Sequence, residues 1–474
     1  MKKMVHLCCF KLCVNIEDFR PISLMQFMMK IMEKILLWVN EEITGLSLHN
    51  NQHGFRKGRS CDSNLTSLTS KIEKSLLDRT FRVQVWIDIK GAFDNIRNAS
   101  MEAAMKKKGC PPEYIAWYLD FFNNRNIQVE YKGQSAKFWP SRGAPQGGIG
   151  SPWLWNIIAD ELYEALDQVS GLNVTHDSDA YADDTGLGVT DANPAVAVHK
   201  MTNDVLPVVQ AWASKFCLEL CPDKTVAMLF TRREERRVCR NGKIRGSYDK
   251  PPKVQFLGKE LEFEETHKHL GVIFHKKGSW TPHINEKIRK ASGVLIKLKN
   301  WMGKLWGLNP KSALWIYKAV ARPMFTHGCL VWHKACEAPG IKEKLRNFQS
   351  KGLKNLGCFR VSTPRMGLEI VTYTFPLHLH IKIVAALSYL RTMGFEKFTE
   401  DEMDTVEESY VGHRFAMRRF LSPLGVDFTN TPSDAIQRQF MWDNNYTVDT
   451  LSFCATNKKR GVPQKRGVVF FFMV

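Results

Sequence analysis

The chain has 474 residues, too many for one compact core, and 44% of them are hydrophobic, so real cores can form. Its 67 Lys and Arg against 48 Asp and Glu leave a charge of +19, which favours nucleic acid as a partner, although a merely soluble basic protein has the same balance. There is no dense cysteine framework and no secretory leader, and the apolar C-terminal residues fall far short of the roughly 20 that span a bilayer, so we expect an intracellular protein of the nucleus or cytoplasm, neither secreted nor membrane-bound.

The first part of the sequence mixes helical and extended patterns. An apolar, helix-like stretch covers residues 27–39, and residues 154–169 have a second helical pattern. Residues 81–88 predict a strand, because every second side chain from Phe81 to Ile87 is apolar. Another extended segment brackets residues 181–184. Strands interleaved with helices predict an α+β fold up to about residue 270.

From Trp280 onward the pattern is helical. Apolar side chains recur every three or four residues between Ile284 and Met302, which predicts one buried helix face. A second face carries a row of lysines, namely Lys287, Lys290, Lys297 and Lys304. Such a row is usually a solvated surface, and the other interpretation is a face that follows the phosphates of a nucleic acid.

Three acids are the candidate chemical groups. Asp88 ends the predicted strand, and Asp183 and Asp184 follow an aromatic residue in a probable tight turn. An Asp pair alone is usually a solvated turn. If the two segments lie side by side, however, three carboxylates meet at one end of a sheet and require a cation. Mg²⁺ prefers such oxygen ligands, and two ions can align an attacking 3′-oxygen with a departing pyrophosphate.

A Gly- and Pro-rich string at residues 143–156 is the second candidate element. Glycines let a backbone approach a flat ligand closely, and Gln146 offers both a hydrogen-bond donor and an acceptor. A short loop of this composition would be a flexible surface loop. The length of this string favours a binding element instead.

Seven segments, in one order, resemble the motifs of reverse transcriptases of non-LTR retrotransposons of the LINE or jockey-like kind. The resemblance covers roughly residues 20–390. The segments are RPISL at 20–24, QHGFRKGRS at 52–60, DIKGAFD at 88–94, PQGGIGSPWLWN at 145–156, YADD at 181–184, LELCPDKT at 218–225 and HLG at 269–271. Each motif is short, and their shared order makes the resemblance specific.

The resemblance implies catalytic roles for the matching residues. Asp88, Asp183 and Asp184 would hold two Mg²⁺ ions, for which Mn²⁺ could substitute, and the carbonyl of Ile89 would help. Lys224 would protonate the leaving pyrophosphate, or it is simply a surface lysine in a turn.

Substrate contacts are implied in the same way. Phe93 would lie under the sugar and exclude a ribose 2′-hydroxyl, and Arg56 would grip the triphosphate. Gln146, Gly147 and Tyr181 would line the nucleotide and template pocket. Phe93 could instead be an ordinary core residue, and Arg56 a solvated loop arginine.

The resemblance also implies an architecture, that of a right-hand polymerase. We expect a short truncated lead at residues 1–17, fingers and palm with an antiparallel sheet at 18–270, a helical thumb and connection at 271–394, and a tail of unknown role at 395–474. The expected function is RNA-directed DNA polymerase of a retrotransposable element, with an RNA template, a DNA primer and dNTPs as partners. No protein partner can be inferred. A truncated copy without the endonuclease is expected, because no such domain fits before residue 20.

Two other functions stay open. An RNA-dependent RNA polymerase would use Asp88 and Asp94 to recognise a ribose, but Phe93 and the Pro-Gln-Gly string oppose it. A catalytically silent RNA- or DNA-binding remnant is opposed by the presence of all three acids together with Gln146. A zinc site is disfavoured, because its candidate ligands lack paired Cys-x2-Cys spacing and are separated by apolar residues; they are His327, Cys329, His333 and Cys336.

Overall fold

The computed structural model describes residues 2–5, 22–44, 48–131, 134–170, 176–238, 244–302, 307–395, 413–421, 446–453 and 466–473. The chain divides into two compact units, Met1–Ser279 and Trp280–Val474. The first unit mixes strands and helices, and the second is mainly helical. The expected α+β class, with an antiparallel sheet followed by a helical region, is confirmed.

The strands of the first unit are β1 (Lys2–Val5), β2 (Ile22–Leu24), β3 (Phe81–Ile87), β4 (Ile89–Lys90), β5 (Ile127–Tyr131), β6 (Gln134–Phe138), β7 (His176–Tyr181), β8 (Asp184–Asp191), β9 (Glu219–Leu220), β10 (Val226–Phe230), β11 (Arg237–Val238), β12 (Ile244–Arg245), β13 (Val254–Phe256), β14 (Lys259–Leu261), β15 (Thr266–His269) and β16 (Val272–His275). Its helices are α1 (Phe27–Thr44), α2 (Cys61–Leu77), α3 (Ala92–Asn95), α4 (Asn98–Lys107), α5 (Pro112–Asn123), α6 (Gly150–Ser170), α7 (Pro194–Lys200) and α8 (Leu206–Phe216), and the π-helical turn Met201–Val205 joins the last two.

The centre of this unit is an antiparallel sheet with the strand order β10-β3-β8-β7. Every residue of β3 is buried. Its alternating apolar side chains join the core with residues of α4, α5, α6 and α8. The sequence pattern predicted this apolar face. The opposite face of β3, with Arg82, Gln84 and Trp86, is buried as well.

Ion pairs fill part of that second face. The Arg82 guanidinium donates to both carboxylate oxygens of Asp177 at 2.6 Å, and Lys71 of α2 donates to Asp179 at 2.7 Å. Although burial alone would raise it, the charges of Arg82 and Lys71 lower the pKa of Asp177 to about 2. A Cβ atom on Gly188 would overlap the Arg82 guanidinium, so a glycine at position 188 of β8 leaves the space that the guanidinium occupies. Charge pairing therefore makes this burial tolerable.

The hairpin of β15 and β16 covers the rest of that face. His267 packs on Trp86 with ring centroids 4.4 Å apart and the ring planes tilted by 30°, and His269 Nε2 lies 3.2 Å from Asn64 Oδ1. Burial lowers the pKa of His267 to about 4 and that of His269 to about 3. Both imidazoles are therefore neutral in the folded protein near neutral pH.

The second unit contains α9 (Thr281–Asn300), α10 (Pro310–Ile316), the π-helical turn Tyr317–Ala321, α11 (Pro323–Thr326), α12 (Cys329–Trp332), the 3-10 turn His333–Glu337, α13 (Pro339–Leu356), α14 (Arg365–Val371), α15 (Leu377–Phe395), α16 (His413–Leu421), β17 (Tyr446–Phe453) and β18 (Arg466–Met473). Asn309 caps α10 by accepting from the Ser312 amide at 2.8 Å. No helix in the described part of the chain is both long and apolar enough to cross a membrane.

The buried histidines predict a pH-dependent stability. Unfolded histidine binds a proton below about pH 6.5, whereas His269 in the folded protein does not until about pH 3. The unfolded state therefore binds more protons as pH falls below 6.5, and stability falls with it. His269→Gln keeps a partner for Asn64 but does not titrate. Between pH 7 and pH 5, we expect the wild type to lose about 1 to 2 kcal/mol more unfolding free energy than this variant, measured by urea titration. Equal losses would contradict the assignment.

Candidate active site

The acidic pair lies at the tip of a hairpin. Tyr181 of β7 pairs with Asp184 of β8, so Ala182 and Asp183 form a two-residue turn. Ala182 has a φ of +61°, a left-handed conformation that is uncommon for a residue other than glycine. The turn is therefore held in place by its surroundings and not by its own preference.

Asp88 lies next to this turn in the sheet. The last paired residues of β3 and β8 are Ile87 and Thr185, so the register places Asp88 beside Asp184. Beyond this point the chain leaves β8, because Ile89 pairs with Leu220 and the Asp88 carbonyl accepts from the Cys221 amide at 2.9 Å. The two segments that carry the three acids are thus neighbours.

The three carboxylates have the right chemistry for a divalent cation, but their side chains are not arranged as a complete metal site. Carboxylates at one end of adjacent strands supply the oxygen ligands that Mg²⁺ prefers. Within the described residues, however, no group of three or more His, Cys, Asp and Glu side chains is arranged to hold a metal. Lys224 Nζ lies 3.9 Å from the Asp88 carboxylate and is largely exposed. A positive charge is thus already present beside one acid.

The Gly-rich string docks against α3. The Gly143 amide donates to the Ile96 carbonyl and the Ala144 amide to the Phe93 carbonyl, each at 2.7 Å. Gln146 Nε2 lies 3.1 Å from both carboxylate oxygens of Asp94. These bonds join the string at 143–156 to the segment that follows Asp88.

Gly147 and Phe93 both pack closely against residues from other segments of the first unit. Gly147 has a φ of +103°, and a Cβ there would lie 2.9 Å from the Ser23 carbonyl oxygen. Phe93 is half-buried, with ring centroids 5.5 Å from Trp155 and 6.1 Å from Phe55. Its ring is packed on aromatic neighbours without being fully enclosed.

Arg56 and Tyr181 are also partly buried. The Arg56 guanidinium donates to the His49 carbonyl at 2.6 Å and to the Gln52 carbonyl at 3.2 Å. It is therefore not a freely solvated loop arginine. A hydrogen bond with Cys61, aided by burial, raises the pKa of Tyr181 to about 12.

The remaining predicted residues belong to the second unit. Lys287, Lys290 and Lys297 lie on α9, and Lys290 Nζ is 3.2 Å from a carboxylate oxygen of Glu286. Lys304 is outside the described residues. Around the disfavoured zinc ligands, Cys329 and Cys336 are buried and His333 Nδ1 lies 2.7 Å from the Leu330 carbonyl. These side chains are part of a packed core.

Three residues that the sequence did not single out support the site. Gln52 and Trp155 hydrogen bond to Ala182 at the tip of the hairpin. Glu33 of α1 is 1% exposed and accepts from the Ile149 amide at 3.0 Å, just before α6 begins. An anion at a helix N-terminus is stabilised by the unpaired amides there. The only sequence hint for Glu33 was an acid within an apolar helical stretch, whereas Gln52 and Trp155 lay in two of the segments that resemble family motifs but were given no role of their own.

Comparison with known proteins adds a family. Residues 10–261 match the model of the reverse transcriptase (RNA-dependent DNA polymerase) family. The chain is 25% identical over 381 residues to the putative 115 kDa protein in type-1 retrotransposable element R1DM of Drosophila melanogaster, covering 80% of this chain and 34% of that protein. It is 23% identical over 357 residues to the RNA-directed DNA polymerase from mobile element jockey of the same fly, covering 72% and 36%. The chain thus spans about a third of these relatives.

A weaker likeness involves a solved structure. Telomerase from Candida albicans in complex with the TWJ fragment of telomeric RNA aligns with a TM-score of 0.35 and 11% identity, covering 88% of this chain and 66% of that one.

The docking of the Gly-rich string predicts a difference between two glycine variants. Gly143 and Gly109 both have positive φ values, of +87° and +72°. A Cβ at position 143 would lie 2.5 Å from the Asp94 carbonyl oxygen, whereas at position 109 no described residue other than the two chain neighbours comes within 4 Å. Gly109→Ala should cost roughly 1 to 2 kcal/mol from backbone strain alone. Gly143→Ala should cost about 1 to 3 kcal/mol more, because the overlap forces movement. Urea unfolding measures both, and equal costs would argue against the docking.

Proposed function

The chain belongs to the reverse transcriptase (RNA-dependent DNA polymerase) family, and on that premise we propose that it is an RNA-directed DNA polymerase of a retrotransposable element. It adds dNTPs to a primer 3′-hydroxyl on an RNA template. The observation that carries the proposal is the β3–β8 register, which brings Asp88 beside the turn of Asp183 and Asp184.

The acids are proposed as metal ligands. Enzymes of this family generally use divalent metal ions. Asp88, Asp183 and Asp184, with the Ile89 carbonyl, are proposed to hold two Mg²⁺ ions, with Mn²⁺ as a substitute. When bound, the ions would align the attacking and leaving oxygens and offset their charge. Lys224, exposed beside Asp88, is proposed to give a proton to the leaving pyrophosphate oxygen.

The substrate contacts are proposed for the other predicted residues of the first unit. Phe93, half-buried on Trp155, is proposed to block a ribose 2′-hydroxyl. Gln146, Gly147 and Tyr181 are proposed to line the pocket for the nucleotide and template. Arg56 keeps further N–H donors beyond its two bonds to carbonyls, and these are proposed to contact the triphosphate.

The lysine row is proposed to bind the template–primer duplex. Lys287, Lys290, Lys297 and Lys304 would contact phosphates, so affinity should decrease steeply with salt concentration. To contact a phosphate, Lys290 would have to give up its ion pair with Glu286. Such exposed pairs contribute little and are easily exchanged for a phosphate.

A silent nucleic-acid-binding remnant is the second candidate. It is favoured by one observation, that the acids are not gathered into a three-ligand group within the described residues. A remnant would bind an RNA–DNA hybrid tightly and extend no primer. Primer extension by the wild type on an RNA template, with dNTPs or with rNTPs, separates it from both kinds of polymerase.

Asp183→Asn tests the acids. We expect primer extension to fall by about a thousandfold or more, because a metal ligand loses its charge. Duplex affinity should be unchanged or higher, since a charge that repels phosphate is removed. Asp191→Asn is the matched control at the opposite end of β8, where Asp191 pairs with Lys200 at 2.9 Å. It should keep extension. Joint loss of duplex binding and activity in Asp183→Asn would indicate misfolding of that variant instead of the loss of a metal ligand.

Phe93→Ala tests the sugar contact. Removing the ring should lower the preference for dNTPs over rNTPs by about tenfold to a hundredfold, because the steric exclusion is lost. Single-nucleotide incorporation kinetics with each substrate measures it. Phe138→Ala, at an exposed phenylalanine of β6, should keep the wild-type preference. An unchanged preference in Phe93→Ala would remove this residue from the proposed pocket.

A further inference from the structure

The outer edge of β7 pairs with residues 51–53, which come from an earlier part of the chain. β7 is an outer strand of the central sheet. The His53 amide donates to the Ala180 carbonyl at 2.8 Å, and the Ala180 amide donates to the Asn51 carbonyl at 2.9 Å. Gln52 therefore lies beside the last residues of β7, at the end where the acidic turn begins.

The Gln52 side chain reaches that turn. Its Oε1 accepts from the Ala182 amide at 3.2 Å and from the Gly54 amide at 2.9 Å, and its Nε2 lies 3.3 Å from the Ala182 carbonyl. Gln52 is 0% exposed. To bond to both the amide and the carbonyl of one residue, a neutral side chain needs an acceptor and a donor, and the carboxamide of glutamine has both.

The same backbone residue is held from a second direction. Trp155 Nε1 of α6 donates to the Ala182 carbonyl at 2.8 Å. Gly54 also packs so closely on the turn that a Cβ there would overlap the Ala182 amide. Asn156 Nδ2 donates to the Gly54 carbonyl at 3.1 Å, which fixes the segment to α6. The hairpin ladder ends at Tyr181 and Asp184, so these contacts serve Ala182 where the ladder does not.

We propose that Gln52 is a positioning residue of the acidic turn, which holds Ala182 in its left-handed conformation together with Trp155 and so fixes the directions of Asp183 and Asp184. A left-handed alanine is unfavourable by itself and persists only when its surroundings determine it. Without the carboxamide, the turn relaxes and the two carboxylates lose their common orientation. The consequence for catalysis rests on the proposed function, whereas the hold on the turn does not.

The test compares two buried glutamines. Gln52→Met keeps the side-chain length and removes the hydrogen bonds. Gln349→Met is the matched control, because Gln349 is also 0% exposed and bonds to Tyr317, Glu369 and Phe375 in the second unit. Trp155→Phe is the second variant, since it keeps an aromatic ring but loses the donor to Ala182. All three are made in the full chain.

Hydrogen exchange of the amides of residues 181–184, followed by mass spectrometry, is the readout that needs no activity. Gln52→Met and Trp155→Phe should exchange these amides at least about tenfold faster than the wild type, because the local opening becomes easier. Gln349→Met should leave them at the wild-type rate. Wild-type exchange at the turn in a folded Gln52→Met protein overturns the proposal.

Kinetics then connects the turn to the reaction. In Gln52→Met, kcat should fall by about tenfold to a hundredfold, because a small misplacement of reacting groups has an effect of this size. KM for the dNTP and the affinity for the duplex should change by less than about threefold, since neither is bound by Gln52. A lower kcat without faster exchange at the turn contradicts positioning. Faster exchange in a protein whose wild type extends no primer supports the hold on the turn and rejects the proposed polymerase.

Discussion

The pairing of β3 with β8 is the constraint on which the rest of the first unit depends. Its register sets which residue follows Ile87 on one strand and which precedes Thr185 on the other. Side chains alternate between the two faces of a sheet, so a slip by one residue would turn Asp88 to the other face and move Val83 and Val85 from the apolar core to the face that holds Arg82. The hydrophobic core and the arrangement of the acids are thus fixed by the same set of hydrogen bonds.

Much of this arrangement could be predicted from sequence because it depends on local patterns. The alternation in residues 81–87 predicted β3, and the turn residues at 181–184 predicted a hairpin. The sequence analysis only supposed that these two segments lie side by side, and the strand register supports that supposition. The helical pattern from Trp280 is found in α9, although β16 still occupies residues 272–275 of the region expected to be a helical thumb.

Other features depend on distant partners and could not be predicted. Arg82 and Gln84 alternate with the apolar side chains of β3, yet both are buried, and Arg82 donates to Gln84 and to Asp177 of β7. Gln52 begins the polar segment 52–60, and only its position at the edge of β7 explains its burial. Arg56 differs in that the carbonyls that accept its hydrogen bonds, those of His49 and Gln52, belong to its own segment, and only the fold of that segment brings them to the guanidinium. A buried polar group is predictable only once its partner is known.

The Arg82–Asp177 pair restricts how this sheet can change during evolution. Replacing Asp177 alone leaves the buried Arg82 guanidinium without its carboxylate partner, which is strongly unfavourable, whereas replacing Arg82 alone leaves Asp177 with Lys71, whose Nζ lies 3.6 Å from a carboxylate oxygen. Gly188 belongs to the same unit, because any larger side chain there collides with the guanidinium. Positions 82, 177 and 188 should therefore covary among relatives, and a smaller residue at 82 would be the change that first permits a side chain at 188.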